Sequence, residues 1–361
     1  MNRLRILCCA ALFVVVIANP ALAQCGGFGA NPTDWEPDGQ ALQACFDANS
    51  YVYLDPGYPG YIVDHQVMVR SHIRLITSSG SKAKLLAHPA LNRPIFHFEP
   101  DAYDYEMSEL IFDGNKWQRT DFSGCDVEYK WQGSNILAKG TNFRIHHIDT
   151  VNAQCGTGLE VVGNDFAVYS VYAAYNGFSK DEANGHWADG ITILRCTRGT
   201  VSGNWSHENT DVGLMVFGGS GCSVEWNDIR NYERYSFAGL SLGDRNANND
   251  FAGGWIAHNN IESGYNMLST GIQVGPHPEA WIMNNAGEIR YNHVSGAVVN
   301  LVVEGINDGV VMDNDLHDAQ GDRHNLCPGF SANYTAAHFG IATLAPGYIC
   351  KEFHSCSIGC Q

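Results

Sequence analysis

Gly158-Leu159-Glu160-Val161 recurs as Gly190-Ile191-Thr192-Ile193, Gly213-Leu214-Met215-Val216, Gly239-Leu240-Ser241-Leu242 and Gly271-Ile272-Gln273-Val274, with Asn300-Leu301-Val302-Val303 as a looser copy. The copies are 32, 23, 26, 32 and 29 residues apart. A second series keeps step with the first: Ile145-His146-His147-Ile148, Val201-Ser202-Gly203-Asn204, Val224-Glu225-Trp226-Asn227, Ile256-Ala257-His258-Asn259, Ile289-Arg290-Tyr291-Asn292 and Val311-Met312-Asp313-Asn314. An internal period is read before any other signal, because it says that one unit is stacked to make the fold. The shortest interval, Asn292 to Asn314, is 22 residues, and longer ones carry insertions. Each strand is four or five residues, alternating inward Leu, Ile or Val with outward Glu, Thr, Met or Gln. No single coil can bury its apolar face, whereas coils stacked at the ~4.8 Å strand spacing share one core. The pattern predicts an all-β solenoid, a parallel β-helix.

Asparagine recurs at one phase of the coil, at Asn204, Asn227, Asn259, Asn292 and Asn314. Stacked at a bend, these amides satisfy backbone groups that a turn leaves unpaired, so they are assigned a structural role. An open stack exposes strand edges and needs a cover. Leu42, Cys45 and Phe46, spaced three and four apart after Asp38, predict a short capping helix before the first strand, Tyr51-Val52-Tyr53-Leu54. The organisation expected is a leader over 1–23 and one domain over 24–361. Within it, 24–50 is the cap, 51–318 the coils, and 319–361 a disulfide-containing C-terminal coil and cap.

The leader reads from Arg3 and Arg5, an apolar run Ile6 to Ile17, and Ala21-Leu22-Ala23 before Gln24. It predicts a secreted or periplasmic protein. Two of the 12 cysteines leave with it, and the even remainder in an exported chain predicts disulfides on loops and ends, without fixing their connectivity. No CxxC pair suggests a metal, and the acidic residues are scattered, so no cofactor is called for and calcium is not indicated. The formal charge of −17 argues against nucleic acid or an anionic membrane as partner. It also counts against a highly anionic substrate unless cations bridge. A monomer is expected.

The helix from Ala41 to Asp47, the strand ending Leu54-Asp55-Pro56-Gly57, the segment Phe112-Asp113-Gly114-Asn115, and then Gly-Ile-x-Val coils with Asn turns resemble the pectate-lyase-like superfamily. That resemblance implies a right-handed, single-stranded parallel β-helix. It also implies action on polysaccharides, since the superfamily holds lyases, glycoside hydrolases, uronan epimerases and phage tailspikes. Asp189-Gly190-Ile191 and Asn209-Thr210-Asp211, 22 residues apart between the two aspartates, further resemble the acidic segments of polygalacturonase-type hydrolases. Against that family's pattern, Val212 replaces a second aspartate, Phe237-Ala238-Gly239 stands for Gly-His-Gly, and Thr270-Gly271-Ile272-Gln273 occupies the strand where Arg-Ile-Lys is found.

Enlarged turns flank the Gly-Ile-x-Val strands, and loops along one face of a solenoid build a cleft suited to an extended chain. His186, Asp189, Asp211 and Asp244 are the candidate catalytic residues; Trp187, His207, Glu208, Tyr232, Tyr235, Arg245 and Trp255 are the candidate substrate contacts. Positions 22 or 23 apart fall on neighbouring coils, so Asp189 and Asp211 are expected to lie close, as the acid and base of a glycosidase. Their phases differ: Asp189 immediately precedes its Gly, Asp211 lies two before. An Asp ahead of a strand Gly also caps turns, and His186, His207 and the Asp244-Arg245 pair also read as loop packing. Three functions follow: hydrolysis of a polysaccharide or oligosaccharide by paired Asp residues; lyase or epimerase chemistry using His186, His207 or Arg245; or a non-catalytic carbohydrate-binding or adhesion solenoid.

Overall fold

The computed structural model describes residues 23–125, 130–179, 186–243, 251–275, 283–303 and 306–320. Asp244, Arg245, Cys327, Cys350, Cys356, Cys360, the leader before Ala23 and nearly all of the expected C-terminal cap lie outside them. Every ladder pairing is parallel, and the chain visits three sheets in turn. Among the described residues the first sheet has 11 strands, from Ala23–Gln24 to Ile306–Met312. The second has 10, from Tyr61–Val63 to Asp315–His317, and the third has 9, from Val67–Val69 to Val299–Val303. One coil is Thr200–Ser202, Trp205–His207 and Val212–Ser220, in that order of sheets. The chain is a right-handed parallel β-helix.

The inward row of the third sheet stacks Ile191, Leu214, Leu240, Ile272 and Leu301 in register, and all are buried. The glycine opening each repeat has a steric reason. A Cβ on Gly213 would stand 2.5 Å from Ile229 and 2.6 Å from the Gly239 carbonyl, so the strand can enter the core only without a side chain there.

At the bend between the first and second sheets the asparagine ladder is continuous. Asn227 Oδ1 accepts from the backbone N–H and Nδ2 of Asn204 at 3.1 and 2.9 Å, while its own Nδ2 donates to the Val201 carbonyl and to Asn259 Oδ1. The pattern repeats through Asn259 and Asn292 to Asn314. The residue before each ladder position, Gly203, Trp226, His258, Tyr291 or Asp313, is left-handed, with φ of 55–61°.

The helix Gly39–Ala48 buries Leu42, Cys45 and Phe46, and Phe46 meets Phe96 edge-on at 5.4 Å. Asp38 precedes it but makes no side-chain cap bond. Its carboxylate instead accepts the backbone N–H groups of Asn31 and Ile62. Disulfides join Cys25 to Cys45 at this end, and Cys125 to Cys155 and Cys196 to Cys222 along the coils. Of these six cysteines only Cys196 lies within a strand; the others sit in turns, loops or the N-terminal cap, as expected. No helix of the described residues is long and apolar enough to cross a membrane.

Candidate functional site

The bend from the second sheet to the third gathers most of the residues singled out above. His207 ends a second-sheet strand, Glu208 turns the chain at φ 55°, and Asp211 leads into Val212–Ser220. One coil on, Arg230 lies in the strand Asp228–Asn231, and Tyr232 and Tyr235 follow before Ser236–Gly243. One coil back, His186 and Trp187 precede Ala188–Thr197, which carries Asp189.

The two aspartates are one residue out of register. Ile191 is in register with Leu214, which sets Val212 beside Asp189, and the Val212 N–H donates to Asp189 Oδ1 at 3.0 Å. The other oxygen accepts from the Thr192 hydroxyl at 2.6 Å. Asp211 is offset by one residue, ahead of the strand Val212–Ser220, and its N–H is bonded to the Ala188 carbonyl. Asp189 thus does for the turn what a capping aspartate does.

Asn209, part of the hydrolase-like segment, belongs to a second amide ladder that the sequence reading missed. Its Oδ1 accepts from the N–H and Nδ2 of Asn176, and its Nδ2 donates to the Ala173 carbonyl and Ser206 Oγ. Ala173 and Ser206 stand three residues before Asn176 and Asn209, where the first ladder shows Ile or Val, which hid the signal. Glu208 is buried, its carboxylate accepting the N–H groups of Tyr232, Glu233 and Arg234 at 2.8, 3.1 and 2.9 Å. It holds the loop that presents Tyr232. The His186 ring stacks on Phe122 at 4.6 Å. Trp187 is exposed, and Tyr235 shares a hydrogen bond with Ser269 at 2.5 Å. Trp255 is on a first-sheet strand, near Tyr291, and not at this bend.

The outer face of the second sheet carries the densest chemistry. One row runs Tyr172, Trp205, Asp228, Asn260, and the next runs His207, Arg230, Glu262. Arg230 Nε donates to Asp228 Oδ1 at 2.8 Å, and His207 Nε2 is 3.9 Å from Asp228 Oδ2. The His207 ring packs edge-on against Tyr172, and its Nε2 has no hydrogen-bond partner. Burial lowers the His207 pKa, with Arg230 acting the same way against the pull of Asp228, so the neutral imidazole is favoured. The Tyr232 hydroxyl donates to Glu262 Oε2. Partial burial, and then the ionised Glu262, push the phenol up to about 12, while the same hydrogen bond holds Glu262 below its usual range. Asp228, Arg230 and Glu262 were not among the expected residues, since no motif marks alternate positions of a short strand.

No protein-family model matches the chain, and no curated protein matches it. Solved structures do. The A-module of the mannuronan C-5 epimerase AlgE6 of Azotobacter vinelandii is 16% identical over 82% of this chain and 77% of that one, with a TM-score of 0.58. The Family 28 exopolygalacturonase of Yersinia enterocolitica is 10% identical over 85% and 67%, with a TM-score of 0.59. PfbA, a surface adhesin of Streptococcus pneumoniae, is 14% identical over 84% and 93%, with a TM-score of 0.53. The likeness is one of fold, the right-handed parallel β-helix.

Proposed function

We propose that the chain processes a polysaccharide containing uronic acids, by removing the proton on the ring carbon that bears the carboxylate. The observation that carries this reading is the row His207, Arg230 and Glu262 on three adjacent strands, with Tyr232 bonded to Glu262. His207 and Glu262 are two strand spacings apart, roughly 10 Å, which leaves room for a sugar ring. A neutral imidazole accepts the carbon-bound proton, and Arg230 offsets the charge that the carboxylate gathers as it takes the electron pair. Tyr232, a phenol near 12, is matched to an alkoxide leaving group. A proton given to the glycosidic oxygen as its bond to carbon breaks completes an elimination and leaves an unsaturated sugar. A proton returned to the opposite face of the same carbon completes an inversion without cleavage. Exposed Trp205 and Tyr232 offer faces on which sugar C–H surfaces stack. Fold neighbours that act on polysaccharides, an epimerase among them, raise the prior for this class.

A second reading, hydrolysis, draws on one further observation. Asp228 Oδ1 and Glu262 Oε1 both accept from the Asn260 amide nitrogen, at 3.1 and 2.8 Å, so these oxygens are at most about 6 Å apart, near the ~5–5.5 Å of retaining glycosidases. Incubation with a panel of uronans and neutral polysaccharides separates the readings. An unsaturated ultraviolet chromophore, or uronate inversion without shortening, is expected. New reducing ends without the chromophore would mean hydrolysis, and binding without any product would mean an adhesin-like role.

A further inference from the structure

We propose that His293, Asp315 and His317 form a binding site for a zinc-like divalent transition metal on the outer face of the second sheet. The three come from two adjacent strands, His293–Ser295 and Asp315–His317. His293 is directly opposite Asp315, and His317 lies two residues on, so all three side chains leave on one face. Asp315 divides its carboxylate between the two rings: Oδ2 is 3.1 Å from His293 Nδ1, and Oδ1 is 2.5 Å from His317 Nε2. One donor atom from each residue lies within 4.8 Å of the other two. Tetrahedral zinc, with bonds of ~2.0–2.2 Å, needs its ligand atoms about 3.4 Å apart, a rearrangement within reach of rotation about the side-chain bonds.

The donor set selects the ion. Two imidazoles and one carboxylate suit zinc, nickel or copper, whereas calcium and magnesium take oxygen ligands. The side chains are 42%, 60% and 52% exposed, so an ion can enter and at least one coordination position stays open. The backbone beneath is held: Asn300 Nδ2 donates to the His317 carbonyl at 2.6 Å, and the Gln320 N–H to the Ala297 carbonyl. His317 stands four strands from His207 along the same row, about 19 Å at the usual spacing, so the site is separate from the chemistry proposed above.

The test is calorimetric titration of the full chain with ZnCl2 after chelator dialysis, repeated for His293→Ala, His317→Ala and Asp315→Asn. The wild type is expected to show a saturable site that CaCl2 does not fill. Each substitution is expected to weaken it at least about tenfold, the lower range of what even an outer-shell partner contributes. Circular dichroism confirms the fold of these exposed variants, and the wild-type melting temperature should rise with ZnCl2 while that of the variants does not. Absence of saturable zinc binding in the wild type, or unchanged affinity in all three variants, overturns the proposal.

Discussion

At the level of single residues, the contrast between Asp189 and His207 decides where chemistry is sought. Asp189 has both oxygens engaged by Val212 and Thr192, so Asp189→Asn should cost about 1 kcal/mol of stability and leave turnover per folded molecule nearly unchanged. His207→Gln and Tyr232→Phe should each fold normally and lower turnover by roughly 10²–10⁴-fold, the contribution of a positioned proton-transfer group. A variant shown folded by circular dichroism and retaining more than about a tenth of wild-type turnover would remove that residue from the mechanism. The pH profile follows from the same groups. His207 must be neutral and its pKa lies below the ordinary 6.5, so kcat/KM should be flat above that value and fall as pH drops through the lowered pKa. An alkaline limb is expected only towards about 12, where Tyr232 ionises. Because the folded pKa of His207 is depressed, the unfolded chain takes up protons first as pH drops below 6.5, and the melting temperature should decline there.

At the level of elements, each ladder asparagine is tied to the coil on either side. Asn227→Ala would strand the Asn204 N–H, take one of two partners from the Asn204 amide and from Asn259 Oδ1, and remove the amide donor to the Val201 carbonyl. Buried groups left unpaired cost about 1–3 kcal/mol each before relaxation, so a loss of about 3 kcal/mol is expected for Asn227→Ala, read from urea unfolding. Asn314 makes bonds only towards the Asn292 side among the described residues and is less buried, so Asn314→Ala should cost about 1 kcal/mol. Equal losses would mean that the ladder does not act through its buried middle. The second-to-third bend differs: Asn176 and Asn209 continue an amide ladder there, but Glu208 and Arg234 brace the enlarged turn, with Arg234 reaching the carbonyls of Gly177 and Glu208. Those braces let the loop carrying Tyr232 project without losing the stack beneath it.

For the whole molecule, the net charge of −17 opposes the approach of a uronan, and the cation Arg230 must act locally against that field. Raising salt from about 10 mM to about 100 mM shortens the screening length from ~30 to ~10 Å. Activity on a uronan, measured as kcat/KM, should therefore rise over that range. A fall would show that the substrate meets a locally positive surface and that the overall charge does not govern encounter.

The repeats in Gly-Ile-x-Val and in asparagine were sufficient for the solenoid and the Asn204 to Asn314 ladder, and the spacing of Leu42, Cys45 and Phe46 for the capping helix, because these are local properties of the sequence. The same text could not say which side chains share a face across coils. Asp189 and Asp211 are 22 residues apart, one coil by count, yet the ladder of that coil steps by 23, from Ile191 to Leu214, and so sets Val212 beside Asp189. The Asn176–Asn209 ladder was hidden because Ala173 and Ser206 stand three residues before its members, where the first ladder shows Ile or Val. The rows joining His207 to Glu262 and His293 to His317 exist only because each insertion is absorbed at a bend, leaving the strands in register at one spacing. Sequence distance along this chain measures loop length as well as coils; only the folded ladder separates the two.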